Sequence, residues 1–491
     1  MVLNRDAAYA AFLRECPEYA STAHLDALRA TEYARLDAGG HAYLDYTGAG
    51  VYAVSQVREH AAVLESGVFG NPHSASPASE ASTALVERAR RAVRDWFGAG
   101  EDYVVVFTQN ATAALKLVGE AYPFGPGSRL LLASDNHNSV NGLRVYARAC
   151  GVEADYVPLL APELRLDRVA LAAQLRHVRE AAPSLFAFPA QSNFSGVVHP
   201  LDAIAEAQAA GWHVLLDAAA FVPTHRLDLA SVRPDFVTIS FYKMFGYPTG
   251  VGCLLARREA LAALRRPWFA GGTVNFATVQ GRVHRLSPGE AGFEDGTLNY
   301  LSIPAVEIGL RHLAAIGMDA IETRVRGLTG WLLRQLLALV HGNGRPLVRI
   351  YGPATTTMRG GTVTLNFYDP DGGLLDYRRV EELAAEAGMS LRTGCFCNPG
   401  AGETAEGITE DDITAAVASA EDMTLPRFLQ FVTHRSGRSA GAIRVSFGLA
   451  STFDDAYRFA AFAAGLRDQT RLTIGDATFD IASCRVIRDG A

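Results

Sequence analysis

Between about residue 75 and residue 310, short, apolar, β-rich runs alternate with stretches whose apolar residues recur at three- and four-residue spacing. That alternation confines the chain to a mostly parallel sheet covered by helices on both faces. The expected strands are Tyr103–Thr108, 129–133, Leu185–Pro189, His213–Asp217, Phe236–Ser240 and 251–256, with helical periodicity at 112–121, 165–182 and 201–210. Sheets of this kind bind ligands in the crevice at the carboxyl ends of their strands. After Pro304 a long helical stretch runs through Val306 and Leu313 to Val340, followed by a strand at 363–367, a helix near 380–387 and a strand at 442–447. These predict a second, smaller α+β domain. Within it, residues 400–440 are rich in Gly, Glu, Asp, Ser and Thr and read as an elaborated loop with a short helix or two.

A chain of 491 residues with 49% hydrophobic and 20% charged residues has material for two well-packed domains around one large sheet. The net charge of −7, with no long Lys/Arg run, leaves no electrostatic footprint for nucleic acid or an anionic membrane and directs attention to a small molecule or protein partner. Residues 1–20 carry Arg5, Asp6, Arg14, Glu15 and Glu18, which breaks any signal-peptide core, and no apolar run approaches membrane-spanning length. Six cysteines in so long a chain (Cys16, Cys150, Cys253, Cys395, Cys397, Cys484) are not a disulfide framework; the expected compartment is the reducing cytoplasm, where free thiols are available for chemistry.

Lys243 closes the apolar run 235–240 and precedes the turn residues Gly246, Tyr247, Pro248, Thr249 and Gly250. As a strand-end lysine at the mouth of the sheet it would have its amine pKa lowered by burial, as a Schiff-base lysine requires, although the heptapeptide alone also admits a surface lysine. Asp217 ends another apolar strand 26 residues earlier. A strand-end carboxylate beside a strand-end lysine points to pyridoxal phosphate, whose ring nitrogen needs an acid partner; taken alone, such an aspartate is more often a cap or turn residue. The phosphate needs N–H groups at a helix start. Phe107 to Thr112 supply a strand, a turn and a helix N-terminus, so that Ala111 and Thr112 are the expected contacts, with Ser240 adding a hydroxyl. His137 follows the strand at 129–133 and can stack on a flat ring or move a proton; Asn193 follows another strand and can hydrogen-bond a phenolic oxygen. In isolation each is also a plain polar loop residue.

In the second domain, Arg392-Thr393-Gly394-Cys395-Phe396-Cys397-Asn398-Pro399-Gly400 joins an arginine suited to holding a carboxylate to two loop cysteines. Cys395 and Cys397 lack the two-residue gap and second ligand pair of a structural zinc site, so no metal is expected. Buried structural thiols remain an alternative to a nucleophile.

Together these residues resemble class V, fold-type I pyridoxal phosphate enzymes, most nearly the cysteine desulfurase domain of molybdenum cofactor sulfurases. The matching segments run in one order through 41–49, 70–74, 191–196, 216–219, 240–250, 293–297, 392–401 and 444–448. The resemblance implies a large domain with a mostly parallel sheet of the seven-stranded type plus a smaller α+β C-terminal domain. The expected division is residues 1–70 serving the small domain and active site, 71–310 binding the cofactor, and 311–491 carrying the cysteine loop. It makes Lys243 the residue that bonds the cofactor, Asp217 the partner of the pyridine nitrogen, and His137 the stacking residue and acid/base, with Asn193 near the ring hydroxyl. Ala111, Thr112 and Ser240 hold the phosphate. Thr297 reaches the phosphate of a neighbouring subunit, which implies a homodimer. Arg392 and Arg444 take the substrate carboxylate, and Cys397, five positions after Arg392, accepts sulfur, with Cys395 as the alternative. Tyr242 and Ala220 stand where general desulfurases often have histidine and glutamine, which follows the molybdenum cofactor branch. The sulfurases of that branch carry a further C-terminal domain, whereas this chain stops at Ala491, and Gly402 stands where they often show another cysteine; the acceptor of the sulfur is therefore left open.

The implied reaction converts L-cysteine to L-alanine and leaves a persulfide on Cys397 for a protein or small-molecule acceptor, with positive charge from Arg392 or a protonated His137 favouring the thiolate. Rival readings are β-elimination from cysteine or a cysteine conjugate, or another class V reaction needing Lys243 but no cysteine nucleophile, and a catalytically silent sulfur carrier or partner-binding protein. The stretch Glu403 to Asp412 is expected to be an acidic loop.

Overall fold

A computed structural model of the chain describes residues 4–72, 74–176, 182–419, 423–424, 427–428, 431–432, 435, 441–475, 478–480 and 485–487. The alternating pattern folds into one seven-stranded sheet. Its strands are β1 (Tyr103–Thr108), β2 (Leu130–Ala133), β3 (Ala154–Val157), β4 (Leu185–Pro189), β5 (His213–Asp217), β6 (Phe236–Ser240) and β7 (Gly252–Arg257), in the spatial order β1-β7-β6-β5-β4-β2-β3. All neighbours are parallel except β7, which runs antiparallel to both β1 and β6. Continuous apolar runs suit strands buried on both faces, because successive side chains enter opposite cores. In β1, Tyr103, Val105 and Phe107 join one hydrophobic core while Val104 and Val106 join a second on the other face.

The seventh strand, β3, was not expected. It lies at the sheet edge and carries the half-buried Ala154 and Tyr156 and the exposed Asp155, so it shows no apolar run. The helix expected over 165–182 is a two-residue strand, Arg165–Leu166, and a helix Arg168–Leu175 capped by Asp167; residues 177–181 lie outside the described residues. The long helix after Pro304 is two helices, Pro304–Ile316 and Met318–Leu337, broken at Gly317, whose φ of 88° suits glycine alone.

The second sheet has four antiparallel strands, β8 (Val348–Tyr351), β9 (Thr362–Phe367), β10 (Arg392–Gly394) and β11 (Ala442–Ser446), in the order β8-β9-β11-β10. The N-terminal segment joins it: Ala42–Tyr43 pairs in parallel with Met389–Ser390, and Asp45 bridges to Ser446. The expected acidic loop at 403–412 is instead the end of helix Pro399–Glu406, a left-handed Gly407, and helix Glu410–Ala418 with a Thr409–Asp412 capping box. Parts of 420–440, together with His73 and Cys484, lie outside the described residues.

Candidate active site

Strands β5 and β6 lie side by side with Asp217 opposite Thr238, which places Asp217 and Ser240 at one edge of the sheet. Lys243 does not end the strand. Ser240 does, and Phe241–Phe245 form one helical turn that carries the lysine past the strand end before Gly246, at φ 78°, reverses the chain. A side chain at Gly246 would collide with the backbone of Tyr52, and the Gly50 N–H donates to the Tyr242 carbonyl at 3.0 Å, so the N-terminal segment braces this turn. The Lys243 side chain keeps some surface within the cleft but is enclosed by protein, and desolvation holds its amine below the ordinary lysine range. Asp217 opposes that shift, Arg444 and Arg392 add to it, and Asp45 opposes it.

Asp217 is buried; its Oδ1 accepts from the Ala219 N–H at 3.1 Å and from Thr238 Oγ1 at 3.3 Å. His137 caps a short helix, with Nδ1 accepting from the Ser139 N–H at 3.1 Å, which leaves the ring proton of the neutral tautomer on Nε2. Burial lowers the His137 pKa, with Asp217 opposing and Lys243 and Arg444 adding to the shift. Arg392 and Arg444 are the cations placed beside Cys397.

The Ala111–Ala121 helix starts beside this cluster. Asn110 caps it by accepting from the Ala113 N–H at 3.0 Å, Ser240 Oγ accepts from the Ala111 N–H at 2.9 Å, and Thr112 Oγ1 lies 2.7 Å from Ser139 Oγ, which is itself 3.0 Å from His137 Nδ1. Thr112 is exposed at the helix start, a corner suited to an anion. Thr297 stands outside the Lys243 group. It is exposed, accepts from Asn71 Nδ2 at 3.2 Å, and lines a separate cleft of about 280 Å³ with Thr108, Gln109, Ala113 and Gly250, flanking the same helix start.

Arg392 on β10 pairs with Arg444 on β11. Neither guanidinium is free. Asp45 Oδ2 accepts from Arg392 Nε at 3.0 Å and Nη2 at 2.7 Å, and Asp45 Oδ1 accepts from Arg444 Nη2 at 2.9 Å. Arg444 is 3% exposed and Arg392 53% at the side chain, so one arginine is a fixed wall and the other reaches the opening.

The cysteine loop leaves β10 with Phe396 at φ 55° and Cys397 at φ 54°, two consecutive non-glycine residues in the left-handed region, a strain that persists only where surroundings impose it. The surroundings are specific. Phe396 is 7% exposed, with the Arg444 guanidinium 4.8 Å from its ring centroid and Phe194 at 5.6 Å. The Phe396 carbonyl accepts from Asn193 Nδ2 at 2.8 Å, the Cys397 carbonyl from the Asn138 N–H at 2.7 Å, and Asn398 Nδ2 donates to the Asp135 carbonyl at 2.7 Å and to Asn193 Oδ1 at 2.9 Å. Both ends of the Asn193 amide are therefore engaged by the loop, whereas the sequence assigned them to a ring hydroxyl. Cys397 is exposed; Cys395 is partly enclosed, and burial pushes its thiol pKa up. Two site residues were missed: Asp45 and Asn398 sit in motifs visible in the sequence, but their partners lie hundreds of residues away and carry no local signal. Among the described residues there is no cluster of three or more His, Cys, Asp or Glu suited to a metal ion, and no helix is long and apolar enough to cross a membrane.

Residues 42–459 match the family described as Aminotransferase class-V. The molybdenum cofactor sulfurase of Solanum lycopersicum is 37% identical over 486 residues, a match covering 92% of this chain and 59% of that protein, so the chain spans a little over half of its relative's length. The cysteine desulfurase of Thermococcus onnurineus NA1 superposes with a TM-score of 0.72 at 21% identity, over 90% of this chain and 97% of that one. The Escherichia coli cysteine desulfurase CsdA gives 0.69 at 23% identity, over 90% and 99%.

Proposed function

The chain belongs to the class-V aminotransferase family, and from that premise we propose that it is a pyridoxal 5'-phosphate enzyme that converts L-cysteine to L-alanine and carries the sulfur as a persulfide on Cys397. The residues present fit the cofactor. Lys243 offers a desolvated amine, Asp217 a buried carboxylate, His137 an imidazole whose pKa burial lowers, and the Ala111–Ala121 helix an N-terminus flanked by the Thr112 and Ser240 hydroxyls. When bound, pyridoxal phosphate supplies an electron sink that eases removal of the substrate α-proton.

The protein's own residues do the rest. Arg444, fixed by Asp45 and by its donation to the Asn193 carbonyl at 3.1 Å, and Arg392 at the opening receive the substrate carboxylate. Lys243 Nζ, kept from holding its proton tightly, takes and returns protons, and His137 Nε2–H is the second group placed to donate one. Cys397 Sγ attacks the substrate sulfur. The new S–S bond forms as the C–S bond breaks, the C–S electron pair stays with carbon, and a proton completes alanine.

The observation that carries this reading is an exposed cysteine, held in a strained and pinned loop, in the neighbourhood of two arginines that hold a carboxylate and of the enclosed lysine. Incubation with cysteine should give alanine and a protein persulfide by mass spectrometry. Cys397→Ser should keep the cofactor absorbance and lose the persulfide, while Cys395→Ser keeps both. Pyruvate with sulfide as products, or full sulfur release by Cys397→Ser, would refute it. We further read the protein as a cytoplasmic homodimer with Thr297 serving the partner's phosphate, handing sulfur to a protein or small-molecule acceptor, with the division at 1–70, 71–310 and 311–491.

A further inference from the structure

Five arginines are buried among the described residues: Arg29, Arg90, Arg324, Arg359 and Arg444. Four face carboxylates. Arg29 pairs with Asp37 and Asp455, Arg90 with Glu294, Arg324 with Asp26 and Arg444 with Asp45. Arg359, 5% exposed, has no carboxylate partner among the described residues. Its terminal nitrogens donate to the carbonyls of Pro353 and, at 3.1 Å, Thr362, and its buried Nε has no hydrogen-bond partner. Burial, with a smaller contribution from Arg165, pulls its pKa down to about 9, which still leaves it charged at neutral pH. A buried cation without a counter-charge is costly, which makes an anion in contact with it favourable.

A cavity of about 200 Å³ adjoins it, lined by Arg359, His225, Glu322, Val325, Arg326 and Thr356. This space is separate from the Lys243 cleft but shares Thr224 with it. Burial lowers the pKa of His225, with Glu322 and the Phe221 backbone opposing, and its ring stacks on Phe221 at 4.7 Å and lies 3.0 Å from Thr224 Oγ1. Glu322 lies in the same cavity and forms no ion pair with Arg359. The cavity thus offers the Arg359 guanidinium without a counter-charge, a second guanidinium from the exposed Arg326, one carboxylate from Glu322 and an apolar wall from Val198 and Val325, in a volume below the roughly 300 Å³ at which drug-sized sites begin.

We propose that this cavity is a binding site for a small carboxylate, held by Arg359 and, where the ligand is an α-amino acid, also by Glu322 at its ammonium group. Acetate and alanine are the two probes. In calorimetric titrations of the full chain at constant ionic strength set with sodium chloride, both should bind saturably. Arg359→Met should weaken binding by about tenfold or more, as loss of a charge-assisted hydrogen bond does. Thr356→Phe, which fills the cavity and leaves Arg359 in place, should abolish this class of site. Alanine bound in the Lys243 cleft is distinguished by its survival in Thr356→Phe. Glu322→Gln should weaken alanine more than acetate, because only alanine brings an ammonium group to that carboxylate. Absence of saturable binding, binding of phosphate but of neither carboxylate, or titrations unchanged in Thr356→Phe would overturn the proposal; this last variant decides the matter even if Arg359→Met fails to fold.

Discussion

The docking of the cysteine loop can be measured at one amide. The Asn138 N–H donates to the Cys397 carbonyl at 2.7 Å, so it is protected from exchange only while the loop is seated. Phe396 is the apolar anchor of that seat, 7% exposed and under the Arg444 guanidinium at 4.8 Å. Burying such a ring contributes about 2 kcal/mol and a cation–π contact about 1 kcal/mol, against left-handed strain of about 1–2 kcal/mol at each of Phe396 and Cys397 that pulls the loop away. Phe396→Ala removes about 3 kcal/mol of that anchor and should speed hydrogen exchange at Asn138 by about a hundredfold through local opening. Amides of β6, whose hydrogen bonds do not involve the loop, should be unaffected, and Phe396→Leu should fall between. Persulfide formation should decline in the same order, because a displaced nucleophile loses its approach to the substrate sulfur. Unchanged exchange at Asn138 in Phe396→Ala would show that the polar contacts of Asn193 and Asn398 alone seat the loop, and would refute the assignment of Phe396 as anchor.

Other perturbations test the same cluster. A side chain at Gly400 would collide with the Ser134 carbonyl, so Gly400→Ala should also unseat the loop and reproduce the Asn138 exchange effect without touching a reactive group. Asp45→Asn leaves Arg444 buried without its counter-charge, a change worth about 3–5 kcal/mol; the melting temperature should fall, and saturating alanine should restore more of it in the variant than in the parent. In cofactor-free protein, Lys243→Met should be the more stable form at neutral pH. Because the folded amine binds its proton more weakly than the unfolded one, parent stability is lost as pH falls below 10.5 through the depressed folded value, so the gap between the two proteins should close as pH rises toward 10.5. A gap independent of pH would place the lysine in an undesolvated site.

The elements legible in the sequence were those whose burial is two-sided. Strands β1, β4, β5 and β6 carry apolar runs with sharp ends, and they place Asp217 and Ser240 at the sheet edge where chemistry is expected. The edge strand β3 escaped because one-sided burial leaves Asp155 exposed and erases the run. Lys243 was recognisable as a reactive candidate, but its placement in a helical turn was not, since Phe241, Met244 and Phe245 are apolar in either conformation and the deciding contacts, from Gly50 and Tyr52 onto the turn, come from far away in the chain. Asn193 shows the same limit. Its position after a strand was legible, whereas the loop that occupies its amide arrives from residues 396 and 398.

Charge balance explains why the N-terminal segment belongs at this site. Arg392 and Arg444 sit opposite one another on adjacent strands, where like charges repel. Asp45, itself nearly buried, neutralises one unit and shares its two oxygens between them, leaving a net charge of one available to a carboxylate. The split is unequal: Asp45 gives both Arg392 contacts to a single oxygen and one contact to Arg444, whose Nε is buried without a partner. An arriving carboxylate therefore need not displace Asp45 from Arg444. It can engage the half-exposed Arg392 first, so substrate capture and the fixed orientation of Arg444 are separate tasks set by one carboxylate from a segment some 350 residues earlier in the chain.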